Sequence, residues 1–246
     1  MTRKTRWVLF CIAVCIFVAL SYIMVMFSLG YKYDFSTWRF VRTGSLQVIG
    51  NTSATVYLDG ISIGGTSFLG NALYVGRLLP HSYRVRLMRD GFRPWDKSVS
   101  IGAGLFSDFP KIVLIPDLLT EELVASASFA EITPISDPKD RIVTFENNEV
   151  RVTWLADTNY QPFHREGDTE IVEILPQKID DVQWYKDHNH LFVQSGGILS
   201  FVEIDTRGGI TSYPLASFTG PFLYDEDTDS IYFFRGAKLF RFTLSS

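Results

Sequence analysis

The chain has 246 residues, of which 46% are apolar, 15% aromatic and 20% charged, and its formal net charge is −4. This length and apolar content suffice for one or two hydrophobic cores. The first six residues carry +3, so the remainder carries −7, and an acidic surface argues against nucleic-acid binding. Cys11 and Cys15 are the two cysteines, which excludes disulfide or thiol chemistry in the rest of the chain.

The N-terminal region predicts a membrane-spanning helix. An uncharged apolar run from Val8 to Phe27 covers 20 residues, and at about 1.5 Å of rise per residue it reaches roughly 30 Å, the hydrocarbon thickness of a bilayer. We therefore distinguish a cytoplasmic basic tail (1–6), a transmembrane helix (7–29) and a juxtamembrane spacer (30–43) that can add a strand. The residues expected to anchor the helix are basic or aromatic: Arg3, Lys4, Arg6, Trp7, Tyr31 and Tyr33.

The charges around this run predict the orientation of the chain. No acidic residue precedes Asp34, so the positive-inside rule places the N-terminus in the cytoplasm and the bulk of a single-pass protein outside the cell membrane. A cleaved signal peptide is the alternative, because Ser28-Leu29-Gly30 offers small residues at a cleavage position. The length of the apolar run favours the uncleaved span, since signal cores usually contain about 7–15 apolar residues.

Residues 44–116 predict a small β-sandwich. Short segments of alternating apolar and polar residues are separated by turn dipeptides such as Asp59-Gly60 and Asp90-Gly91. Asp-Gly is a strong hairpin signal because both central residues of such a turn need a positive φ. About six short strands without helical periodicity are typical of a sandwich, and the whole chain is predicted to be mainly β.

The same segment resembles a PEGA domain in residues 44–48, 54–60, 79–85 and 91–95. It departs from that family at 51–54, where Asn-Thr-Ser-Ala retains only the alanine of the tetrapeptide that gives the family its name, and at His81, where a glycine is usual. The resemblance implies an exported prokaryotic protein in which this domain spaces the chain or binds the cell wall or surface layer. The residues that carry the motif are Ala54, Val56, Tyr57, Asp59, Gly60, Pro80, Tyr83, Gly91, Pro94 and Trp95.

The remaining residues form a predicted connector (117–140) and a predicted blade-like β-meander (141–246). A short helix is expected over Asp117–Ser128, before Pro134 and Pro138 interrupt the chain. From 141 onward, an aromatic strand, a polar tip, an apolar strand and a Gly turn recur about every 40 residues. This pattern resembles β-propeller blades of the TolB or WD-repeat type. Because 130 residues provide only about three blades, we expect a partial propeller whose free edge meets a protein partner, the PEGA-like unit or another copy.

Few residues in the chain indicate catalysis or a cofactor, and we predict neither, nor a metal. His188 and His190 beside Asp187 suggest a metal site, but a solvated turn is the preferred interpretation because a third ligand is missing. Asp225, Asp227 and Asp229 resemble the start of a calcium loop without its glycine and terminal Glu, so a polar hairpin tip is preferred. The tryptophans at 95, 154 and 184 are predicted to be core residues rather than a sugar-binding platform.

The functional prediction is a non-enzymatic, membrane-anchored binding or scaffold protein of the prokaryotic cell envelope. The PEGA-like domain is the expected spacer or wall and surface-layer binder, and the blade-like region is the expected protein-interaction surface. Recognition of an envelope polysaccharide is the alternative. A hydrolase, or an accessory subunit of an enzyme, is a further alternative that would require a cleft with convergent titratable groups.

Overall fold

The computed structural model describes residues 2–124 and 132–244. This part of the chain contains one α-helix and twenty β-strands, which confirms the prediction of a mainly β protein. The helix α1 spans Arg3–Ser28. The strands are β1 (Tyr31–Asp34), β2 (Arg39–Arg42), β3 (Gly44–Gly50), β4 (Thr55–Leu58), β5 (Ile61–Gly65), β6 (Ala72–Leu78), β7 (His81–Met88), β8 (Trp95–Ile101), β9 (Phe106–Ile112), β10 (Glu122–Val124), β11 (Arg141–Glu146), β12 (Glu149–Trp154), β13 (Thr169–Ile174), β14 (Ile179–Trp184), β15 (His190–Ser195), β16 (Ile198–Glu203), β17 (Ser212–Ser217), β18 (Phe222–Asp225), β19 (Ser230–Arg235) and β20 (Lys238–Thr243).

The chain forms two compact units. The first comprises residues 1–47, 74–82 and 100–108, and the second comprises 48–73, 83–99 and 109–246. Parts of the predicted PEGA-like segment therefore cluster with the N-terminal helix, and the other parts cluster with the blade-like region.

By its length and composition, helix α1 could cross a bilayer. A signal sequence near an N-terminus has the same length and composition. Its 26 residues begin just after Thr2, whose hydroxyl accepts a hydrogen bond from the Thr5 N–H at 3.3 Å. This cap satisfies one of the free N–H groups of the first turn. No side chain of the described helix is buried, as expected for a helix whose apolar surface faces lipid.

The spacer after the helix forms a β-hairpin in the first unit. Strands β1 and β2 pair in antiparallel register from Tyr31–Arg42 to Asp34–Arg39. Hydrogen bonds from the Ser36 hydroxyl and N–H hold the pKa of Asp34 below its usual value. The ring of Phe40 lies 6.1 Å from that of Tyr22 in the helix, so the hairpin contacts the last turns of α1.

Strands β3 to β9 form two sheets, with orders β6-β3-β9 and β5-β4-β7-β8. Alternate residues are buried, as in β4, where Val56 and Leu58 are buried and Tyr57 is partly exposed. Sheets with one buried face show this period of two. The predicted Asp59-Gly60 turn is confirmed, since both residues have positive φ, +50° and +81°.

Three further antiparallel sheets follow one another in the second unit, which confirms the predicted antiparallel β-structure of this region. Their orders are β11-β12-β13, β14-β15-β16-β17 and β10-β20-β19-β18. Two cores hold them together. Val152, Trp184 and Val202 belong to the core shared by the first two sheets, and Phe192 and Phe233 belong to the core shared by the second and third.

The predicted helix over Asp117–Ser128 is wrong in its described part. Residues 117–124 contain no helix, and Glu122–Val124 instead form β10, which completes the last sheet by pairing with β20; residues 125–128 lie outside the described residues. Leu123 lies opposite Phe240, and Glu122 forms a 3.0 Å ion pair with Arg241. Tertiary pairing thus overrides a local helical preference, as it often does in short segments.

Candidate ligand-binding site

A cavity of about 470 Å³ lies within the second unit, a volume typical of sites for small molecules. Its wall combines strand β9, the start of β11, the end of β12 with its following loop, the turn after β14 and the end of β16. The lining residues are Phe109, Pro110, Lys111, Ile112, Asp140, Arg141, Trp154, Tyr160, Gln161, Pro162, His164, Asn189, Glu203, Ile204 and Asp205.

The loop at 155–168 supplies one side of the cavity. Two hydrogen bonds close it on itself: the His164 N–H donates to the Thr158 hydroxyl at 2.7 Å, and the Thr158 N–H donates to the His164 carbonyl at 2.9 Å. The loop thereby stacks the His164 imidazole on the Trp154 indole, with ring centres 3.5 Å apart and planes 13° from parallel. Both side chains are more than nine-tenths buried.

The end of β16 supplies two carboxylates that are already paired. Glu203 accepts a hydrogen bond from the Trp95 indole N–H at 2.9 Å and lies 3.1 Å from the ammonium of Lys97, and all three side chains are almost fully buried. Asp205 binds the guanidinium of Arg207 through both oxygens, at 3.0 and 2.6 Å. Each carboxylate is therefore neutralised by its own cation.

Two cations, Lys111 and Arg141, also line the cavity. The Lys111 ammonium donates to the Asp187 carbonyl at 2.8 Å, and burial lowers the pKa of Lys111. Arg141 Nε lies 3.4 Å from Asp140 Oδ1, while Asp140 Oδ2 accepts a hydrogen bond from the Tyr160 hydroxyl at 3.0 Å. Arg141 is buried, and a buried guanidinium retains its charge.

Burial also lowers the pKa of His164, an effect that the Glu170 carboxylate opposes from 3.7 Å. With Glu203 and Asp205 paired to cations and apolar side chains around them, the cavity is suited to holding a ligand by hydrogen bonds and apolar contact.

Among the predicted PEGA-like motif residues, Trp95 contacts two lining residues: its indole N–H donates to Glu203, and its ring centre lies 5.5 Å from that of Phe109. Its neighbour Pro94 accepts a hydrogen bond at its carbonyl from the Tyr213 hydroxyl at 2.8 Å. The remaining motif residues do not line the cavity: Ala54, Val56, Tyr57, Asp59, Gly60, Pro80, Tyr83 and Gly91.

The predicted anchor residues lie on the first unit. Arg3, Lys4, Arg6 and Trp7 occupy the start of α1, and Tyr31 and Tyr33 lie on β1. The sequence analysis did not include Phe35 and Trp38 of the same hairpin, whose side chains are 77% and 76% exposed. Exposed aromatic rings beside the end of an apolar helix suit the interface of a bilayer.

The predicted solvated turn at Asp187–His190 is wrong for His190, which is 2% exposed. Its Nδ1 lies 2.8 Å from the Asp187 carboxylate, and its ring stacks on Phe201 at 4.8 Å. Burial alone would raise the pKa of Asp187, but His190 and the Asn189 N–H hold that pKa below its usual value. No group of three or more His, Cys, Asp or Glu suited to a metal occurs within residues 2–124 and 132–244.

Lys111, Arg141 and His164 are site residues that were not predicted from the sequence. No spacing signal could have found them, because they come from β9, β11 and a loop that share no local pattern. Trp154 was predicted as a core residue, and its burial confirms that prediction, although its ring also lines the cavity.

No protein-family model matches this chain, and no curated protein matches it. The likenesses to PEGA domains and to TolB or WD-repeat blades therefore remain resemblances of the sequence.

Proposed function

We propose that this protein is a membrane-anchored, extracytoplasmic binding protein of the prokaryotic cell envelope, without a catalytic role. Helix α1 holds it in the cell membrane with the N-terminus in the cytoplasm, and the blade-like region takes up a small ligand or one residue of a larger one. The observation that carries the proposal is the 470 Å³ cavity, whose carboxylates each have a cation beside them.

The location is tested by cysteine labelling. Because residues 30–246 contain no cysteine, a single Ser67→Cys substitution in a chain that also carries Cys11→Ala and Cys15→Ala gives an unambiguous reporter. We expect a membrane-impermeant maleimide to label Ser67→Cys in intact spheroplasts and to label Thr5→Cys only after lysis. Labelling of Thr5→Cys before lysis, or a chain shortened by a signal peptidase, would contradict the anchor.

The binding role is tested by native mass spectrometry of the full chain extracted from its own membranes. We expect an adduct of small mass that is lost in Pro110→Trp, which fills the cavity from β9. The matched control is Ile198→Trp at the exposed first residue of β16, where the side chain is 47% exposed; this variant should keep the adduct. Equal adducts in both variants would place the ligand elsewhere.

We propose that the PEGA-like segment spaces the chain from the bilayer or binds the cell wall or surface layer. The alternative ligand of the protein is an envelope polysaccharide. The acidic remainder of the chain disfavours nucleic acid as a partner.

A protein partner at a sheet edge is the second candidate function. Strand β13 forms the edge of a three-stranded sheet and exposes Ile171 and Ile174, whereas the last sheet gains a fourth strand from β10. An incoming strand can pair with such an edge. We expect Ile171→Lys to abolish cross-linking to that partner in native membranes, whereas Ile198→Lys should not; equal cross-linking would exclude this edge.

A further inference from the structure

Unpaired hydrogen-bonding atoms concentrate in the wall of the cavity. Within the described residues, Arg141 Nε, Trp154 Nε1 and His164 Nε2 are buried and lack a hydrogen-bond partner. The three side chains are 6%, 2% and 7% exposed, and all three line the cavity. Buried polar atoms are almost always satisfied in folded proteins, so three unpaired nitrogens among the lining residues of one cavity indicate that a bound group completes them.

The missing group is an acceptor. The Nε of arginine and the indole nitrogen of tryptophan can only donate hydrogen bonds, and these belong to Arg141 and Trp154. Each acidic side chain of the wall already has a donor: Glu203 has Trp95 and Lys97, Asp205 has Arg207, and Asp140 has the Tyr160 hydroxyl. A ligand that brings additional N–H groups or positive charge would leave the two donors unsatisfied.

The charges and the apolar surface of the cavity wall further narrow the chemical class of the ligand. Arg141 and Lys111 place two cations in the wall. Asp140 lies 3.4 Å from Arg141 Nε without accepting a hydrogen bond from it, so this N–H is left for the carboxylate or phosphate that a guanidinium binds best. The rest of the wall is largely apolar, with Phe109, Ile112 and Ile204 among its members. Such a surface excludes water from a compact carbon skeleton, and it gives a phosphate little of the polar surrounding that its charge needs.

We infer that the cavity binds a compact organic acid, with the carboxylate of the ligand accepting hydrogen bonds from Arg141 and Trp154 and its apolar body filling the space beside Phe109. This inference rests on the proposed binding function and specifies its ligand. The acid is either a free small molecule or the carboxylated sugar of an envelope glycan, since both present the same group.

The test is a titration of the full chain in detergent micelles, by isothermal calorimetry, with empty micelles as the blank. The probes are benzoate and cyclohexanecarboxylate against their neutral amides, and D-glucuronate against D-glucose. We expect each acid to bind at least 10-fold more tightly than its neutral partner. Tighter binding of glucuronate than of benzoate would assign the acid to a glycan, and the reverse order would assign it to a free molecule.

Two substitutions test whether the acids bind at the hydrogen-bond donors Arg141 and Trp154. Arg141→Met should weaken binding of the acids at least 10-fold. Trp154→Phe, which removes the N–H and keeps an aromatic ring, should weaken it about threefold or more and serves if Arg141→Met does not fold. Arg151→Met, on the exposed side of β12 with its partner Glu149, should leave binding unchanged.

Equal binding of acids and amides, or undiminished binding by Trp154→Phe, would overturn the inference. If no acid binds while the chain from native membranes still carries an adduct that Pro110→Trp removes, the organic acid is wrong and the binding function stands. If both the adduct and the titration are negative, both proposals fail.

Discussion

Replacing Glu203 by glutamine is expected to lower the free energy of unfolding by about 3 kcal/mol, the low end of the cost of breaking a buried ion pair. The side chain is almost the same size, so packing around it is preserved. The ammonium of Lys97, 2% exposed and 3.1 Å from Glu203, would remain buried without its counter-charge. Urea denaturation of the full chain in micelles, followed by tryptophan fluorescence, measures the loss.

A double-mutant cycle separates the charge from the other contacts of Glu203. In Lys97→Met with Glu203→Gln, no charge is buried and the amide oxygen still accepts from the Trp95 indole, so we expect a loss of about 1 kcal/mol or less. The control is Glu122→Gln, which breaks an exposed ion pair with Arg241 and should cost about 0–1 kcal/mol. If Glu203→Gln lowers the free energy of unfolding no more than Glu122→Gln does, the buried pair does not stabilise the fold.

Local signals in the sequence predicted much of the strand and turn structure. The Asp59-Gly60 turn could be predicted because aspartate and glycine tolerate the positive φ values that a two-residue hairpin turn needs. Burial of Val56 and Leu58 followed from alternation along one strand, and burial of Trp184 followed from its size. Each of these features depends on a few neighbouring residues.

Features that depend on distant parts of the chain could not be predicted. Strand β10 depends on backbone pairing with β20, in which Leu123 lies opposite Phe240, more than a hundred residues later. His190 has the sequence context of a polar tip and is nevertheless buried against Phe201. The cavity depends on five separate stretches of chain, so the unpaired donors Arg141 and Trp154 become visible only in three dimensions.

Replacing Gly208 by alanine is expected to cost about 2–5 kcal/mol of the free energy of unfolding. Gly208 has φ +75°, a conformation that costs a residue with a Cβ about 1–2 kcal/mol. A Cβ at this position would also lie 2.4 Å from the carbonyl oxygen of Ser98, with backbone rather than a flexible side chain as the obstacle. Overpacking of this kind adds about 1–3 kcal/mol.

Gly91→Ala is the matched control, because Gly91 has nearly the same φ, +77°, and a Cβ there would meet nothing within 4 Å. This variant should show the backbone cost alone, so the difference between the two measures the close approach of the 205–209 loop to β8. That approach includes the bond from the Ser98 N–H to the Gly208 carbonyl at 3.3 Å. Equal denaturation midpoints for Gly208→Ala and Gly91→Ala would mean that the loop does not pack on this strand, and the contacts of Glu203 with Trp95 and Lys97 would then lose their structural support.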